Sequence, residues 1–192
     1  MLPAPATHSD SVAQINDGSR EFSVVRELAL IVGASLFVGL CAKVTWYLPF
    51  SPVPLTLSNF GVLLVGLLLG GRRGAAALAL YLVEGSAGLP VFTAGSLGIF
   101  GPTGGYLLAY PAVAFLAGWL QERGRPSFPR YVVACSAGEI FLFAAGVSWL
   151  VFYFHRPWSQ GAALGLYPFI AGEVLKVSAA AAIANRFHRK LS

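Results

Sequence analysis

Apolar positions in this chain come in long blocks broken by short polar or Pro/Gly-rich stretches. Residues 44–71 and 85–121 contain no Asp, Glu, Lys or Arg. Each block is longer than the ~20 residues one helix needs to cross the hydrocarbon of a bilayer. The pattern divides into six helical spans, at 24–47, 57–70, 74–89, 104–120, 131–154 and 161–184. The spans at 57–70 and 74–89 are short for a straight crossing, so the connections beside them are expected to enter the membrane with them. Residues 1–22 are polar, with Asp10, Asp17, Gly18 and several Ser, and hold no apolar block of the kind a cleavable signal peptide needs. They read as a mobile cytoplasmic tail. The prediction is an all-α integral membrane protein, a compact bundle of six transmembrane helices with structured outer loops. The membrane domain spans 23–185, and a short basic cytoplasmic tail follows at 186–192.

Composition agrees: 56% of the 192 residues are hydrophobic, mean hydropathy is +0.70 and 11% are charged, against roughly 25% charged in a soluble domain. A net charge of +5 does not imply nucleic acid, because the basic residues form no patch with interleaved aromatics. They sit at the ends of apolar segments. With the N-terminus inside, the cytoplasmic side takes Arg20, Arg26, Arg72, Arg73, Arg123, Arg125, Arg130, Arg186, Arg189 and Lys190, leaving Lys43, Arg156 and Lys176 elsewhere. This is a positive-inside bias with both termini cytoplasmic. GGRRG (70–74) then forms a tight inner hairpin and RGRPSFPR (123–130) a longer inner loop. Cys41 and Cys135 lie in apolar segments without C-x-x-C spacing and read as small buried residues.

The outer side is different. LPFSPVPLT (48–56) and GLPVFTAGSLGIFGPTG (88–104) carry no charge, whereas solvated connectors normally carry polar turn residues. Both are expected to fold down onto the helices, either closing over a ligand as lids do or plugging the bundle. No span pattern recurs, which weighs against a carrier built from inverted repeats.

Ionisable side chains inside a bilayer are costly, so each needs a reason. Those within the spans are Lys43, Glu84, Glu139, Glu173 and Lys176. Lys43 and Glu84 lie near outer ends and can snorkel to the interface. Glu173 and Lys176, spaced i, i+3, share one helix face and can pair with each other. The pair reads either as a structural bridge or as part of a polar pocket, with a carboxylate to accept N–H bonds and an ammonium to meet an oxygen; the uncharged loops favour the pocket. Glu139 has no cation at helical spacing and is a further candidate for a proton or partner contact. Catalysis finds no support. There is no Asp in any span, no Ser/His arrangement within one, no metal-ligand spacing of His, Cys and Glu, and no P-loop Lys. TGGY (103–106) is a weak match to a potassium filter, since apolar LLAY follows.

Three motifs in order, LPFSPVPLTL (48–57), GLPVF (88–92) leading into GPTGGYL (101–107), and PFIAGEVLK (168–176), resemble the BioY family. Its members are the biotin-binding S components of energy-coupling factor (ECF) transporters. The resemblance covers about residues 29–184. It implies a six-helix bundle in the bacterial cytoplasmic membrane that captures biotin from outside, without catalysis, cofactor or bound metal. Energy would come from a separate T protein and two ABC-type ATPase subunits. Self-association stays open. On this resemblance Glu173 accepts from the ureido N–H groups of biotin, and Lys176 pairs with Glu173 or meets an oxygen of the ligand. Thr103 caps the helix that follows the loop. Gly104 and Gly105 let a ligand or another backbone approach closely, freed N–H groups there bind an oxygen of biotin, and Phe92 and Tyr106 pack on its apolar parts. Small residues of the first helix, Ala29 and Gly33 and also Ser35 and Gly39, would dock the T protein. The family more often has Asp in place of Glu173, a loop richer in Gly than TAGSLG (93–98), and apolar or amide residues at Glu84 and Glu139. Rival readings are an S component for thiamine or riboflavin, and a self-sufficient biotin carrier.

Overall fold

A computed structural model describes residues 8–191, with side chains from 23 to 190. In chain order it has α1 (His8–Cys41), a two-stranded ribbon β1 (Thr45–Trp46) and β2 (Leu55–Thr56), α2 (Ser58–Leu69), α3 (Gly71–Ser86), a 3₁₀ turn (Gly98–Phe100), α4 (Gly104–Glu122), α5 (Phe128–Phe154), α6 (Trp158–Gly165) and α7 (Ile170–Leu191). The short α2 lies at the centre, packed by α1, α3, α4 and α7. Its sequence, SNFGVLLVGLLL, is apolar on every side, the pattern of a helix enclosed by others. The remaining helices close around it, α1 on α3, α3 on α4, α4 on α5 and α5 on α7. Val38, Leu63, Leu67, Leu78 and Val113 form the solvent-free core.

Local chemistry explains the joints. The α2–α3 hairpin turns at Gly70, whose φ of 82° is open to Gly at little cost. A Cβ there would also lie 2.0 Å from Glu122 Oε1, the atom that accepts the Gly71 N–H at 3.1 Å. Arg73 then donates from Nε and Nη2 to the two oxygens of Glu27, each at 2.6 Å, and ties α3 to α1.

Leu40, Ile140, Phe152 and Leu175 are all at least 70% exposed, an apolar exterior suited to lipid rather than water. Ser23–Cys41 and Phe128–Phe154 are each long and apolar enough to cross a membrane, and α6 with α7, bent by 53°, forms a third such span if taken together. At 1.5 Å per residue α2 reaches only about 18 Å, short of a ~30 Å hydrocarbon core.

Several expectations change. The helix α1 begins at His8, inside the segment expected as a tail (residues 1–7 lie outside the described residues), and it stops at Cys41 because Thr45 and Trp46 pair with β2. At the other end α7 continues through most of the segment expected as a basic tail. The span expected at 161–184 is broken. Pro168 has no N–H to give and disfavours helix in the residue before it, so α6 ends at Gly165 and α7 starts at Ile170. The break sets Glu173 in the first turn of α7, where it faces the site described next.

Candidate binding site

Both neutral loops are tied to helices. Ser51 Oγ donates to Leu164 O at 2.6 Å, fastening the β1–β2 ribbon to α6. Lys43 Nζ donates to Phe92 O at 3.0 Å, and the Tyr47 hydroxyl donates to Ala94 O, which fastens the second loop to the end of α1. Between them lies a narrow cavity that opens at a mouth between the loops. Its walls are apolar and aromatic, with Phe92, Tyr106, Tyr110, Leu142, Phe143 and Phe169; Thr93, Ser96 and Thr103 bring hydroxyls on the loop side.

A polar cluster closes one wall. Asn59, in the first turn of α2, donates from Nδ2 to Glu139 Oε1 at 2.5 Å and to Glu173 Oε2 at 2.7 Å. Lys176 Nζ donates to Glu173 Oε1 at 2.8 Å. The side chains of Glu173 and Lys176 are only 10% and 11% exposed, so this pair is shielded as surface bridges are not. Three helices thus converge on one amide, two carboxylates and one ammonium. Asn59 Oδ1 and Glu139 Oε2 are buried and have no partner among the described residues. Buried polar atoms left in this state attract partners from a ligand or water.

Of the residues singled out from sequence, Glu173, Lys176, Phe92, Thr103 and Tyr106 all line the cavity. Tyr106 also donates its hydroxyl to Gly165 O at 2.7 Å, joining α4 to the end of α6. Thr103 holds the N-cap position of α4 but makes no side-chain capping bond; its carbonyl accepts from Tyr106 and Leu107. At Gly104, expected to admit a ligand or another backbone, it is the protein that comes close. Gly104 lies outside the cavity lining, and a Cβ on it would meet Ile99 O at 2.2 Å and the Trp149 ring at 2.9 Å. A Cβ on Gly105 would likewise lie 2.2 Å from Trp149 Cβ. The glycines of GPTGGYL therefore seat α5 against α4, and the Trp149 indole N–H donates to Gly101 O at 2.9 Å. Nor is the Gly104 N–H free, since it donates to Gly101 O.

Away from the cavity, Ala29 and Gly33 line a shallow apolar groove with Leu30, Phe37, Leu64 and Leu68, and a Cβ on Gly33 would touch nothing within 4 Å. Ser35 and Gly39 face the interior instead. Ser35 Oγ donates to Glu84 Oε1 at 3.1 Å, so Glu84 turns into the bundle rather than snorkelling, and its Oε2 is buried without a partner among the described residues. Asn59 was missed from sequence, as were Tyr110, Phe143 and Phe169. The one available signal for Asn59 was an amide in an otherwise apolar segment.

The model of the BioY family matches residues 11–192. The chain belongs to the BioY family. Among its relatives, a biotin transporter BioY of Thermotoga maritima is 36% identical over 163 residues, covering 83% of this chain and 95% of the relative. A biotin transporter BioY2 of Lactococcus lactis is 37% identical over 133 residues, covering 67% and 72%. The fold is similar to a crystal structure of the S component for biotin from an ECF-type ABC transporter, with TM-score 0.80 and 27% identity over 87% of this chain and 93% of that one. In this BioY protein the loop-covered cavity and the cluster around Asn59 are the features to be explained.

Proposed function

We propose that this BioY-family chain captures biotin and is the substrate-binding S component of an ECF transporter. The observation that carries the reading is the buried cluster of Asn59, Glu139, Glu173 and Lys176 at the wall of an aromatic cavity. Biotin has a ureido head with two N–H donors and one carbonyl, an apolar ring and chain, and a carboxylate tail. Glu173 accepts an N–H of the head, Lys176 meets the ureido carbonyl, and Phe92, Tyr106 and Phe143 cover the apolar parts. The hydroxyls of Thr93, Ser96 and Thr103 receive the carboxylate.

The topology that suits this role has six spans, α6 and α7 together forming the last, with both termini in the cytoplasm of a bacterium and the loop-covered cavity opening outward. The positive-inside bias supports that orientation. The groove at Ala29 and Gly33 is the surface offered to the T protein, small residues allowing a partner helix to approach. Uptake of labelled biotin by cells lacking their own uptake system tests the reading. Uptake with the T and ATPase subunits, and none without them, is expected. Uptake driven by a proton gradient in their absence would point to the self-sufficient carrier, and uptake of thiamine or riboflavin instead of biotin to a different vitamin.

A further inference from the structure

Asn59 is 5% exposed and forms part of the cavity wall. A carboxamide carries two N–H donors and one oxygen acceptor. Here Nδ2 is committed to two carboxylates, Glu139 and Glu173. In this arrangement the amide nitrogen faces both carboxyl groups. The oxygen is therefore turned away from both carboxylates, and it is buried with no partner among the described residues.

We infer that Asn59 is a ligand-contact residue whose Oδ1 accepts one N–H of a cyclic urea, and that Glu139 is a positioning residue that holds the amide for this without touching the ligand. The inference rests on reading the cavity as a biotin site. Ligand geometry asks for such an acceptor. In a five-membered cyclic urea the two N–H bonds diverge on either side of the carbonyl, so a single carboxylate does not reach both. Glu173 takes one, and Asn59, from a different helix, takes the other. Lys176 is left for the carbonyl. Glu139 is absent from the cavity lining and faces the groove between α5 and α7, so its part is played through Asn59.

The test is calorimetric titration of the full chain in detergent with biotin and with its two carbamate analogues, each having one ring N–H replaced by oxygen. Asn59→Leu is expected to weaken biotin binding about tenfold to hundredfold, the effect of an unmade buried hydrogen bond. That loss should disappear for the one analogue lacking the N–H that faces Asn59 and persist for the other. A merely structural Asn59 would weaken all three ligands alike, and that result, or no loss at all, overturns the inference. Glu139→Gln lets the new amide donate to Asn59 Oδ1 and so releases the orientation; it should weaken biotin binding in the wild-type background and add little to Asn59→Leu. If Asn59→Leu does not fold, Glu139→Gln alone decides. Unchanged affinity and unchanged discrimination between the analogues then overturn the positioning role. A folded wild-type chain that binds no biotin would instead overturn the reading of the site, and this inference with it.

Discussion

Replacing Lys176 with Met removes a charge while keeping the length of the side chain, and it tests whether the polar cluster is as dry as its geometry says. The ammonium lies 2.8 Å from Glu173 Oε1, and both side chains are about nine-tenths buried. A solvent-exposed pair would contribute only ~0–1 kcal/mol. Removing one partner of a buried pair costs ~3–5 kcal/mol, because the other charge stays behind without compensation. Here it stays beside a second carboxylate, Glu139, with Asn59 Nδ2 shared between the two. For a chain of this size ~1 kcal/mol moves the melting temperature by about 2–4 °C, so Lys176→Met should lower it by roughly 6–20 °C in detergent. Adding Glu173→Met should restore part of the loss, since replacing both members of a buried pair with apolar groups is far milder. A single-mutant shift below ~2 °C, or a double mutant worse than the single, would refute the claim that this cluster is shielded from water.

Gly105→Ala would set a methyl 2.2 Å from Trp149 Cβ and 2.8 Å from Ala145 O. Overpacking of this kind costs ~1–3 kcal/mol, and a lowered melting temperature checks it. Arg73→Ala breaks a bidentate bridge whose side chains are 48% and 30% exposed; it should cost under ~1 kcal/mol, with the difference from wild type shrinking in high salt. Gly33→Leu fills open space on the α1–α2 groove, so it should leave biotin binding intact in titration while reducing uptake in cells that carry the T and ATPase subunits.

The helical organisation was legible because uncharged blocks and clustered Arg residues mark apolar segments and their ends directly. Glu173 and Lys176 were legible for a related reason, as charges in an apolar run. Other features depend on partners far along the chain. The glycines at 104 and 105 look like an opening for a ligand until Trp149 of α5 is seen to fill the space beside them. Asn59 reads as an ordinary polar residue at a helix start, and its role exists only once α5 and α7 bring two carboxylates to its amide. Pro168 was visible, but apolar residues on both sides concealed that the helix breaks there and re-aims Glu173.

The most direct test of the account is calorimetric titration of the purified chain with biotin, thiamine and riboflavin, repeated for Glu173→Ala and Lys176→Ala. Tight binding of biotin alone is expected, weakened strongly by either substitution. A folded protein that ignores biotin, or that binds it equally well without Glu173 and Lys176, would contradict it.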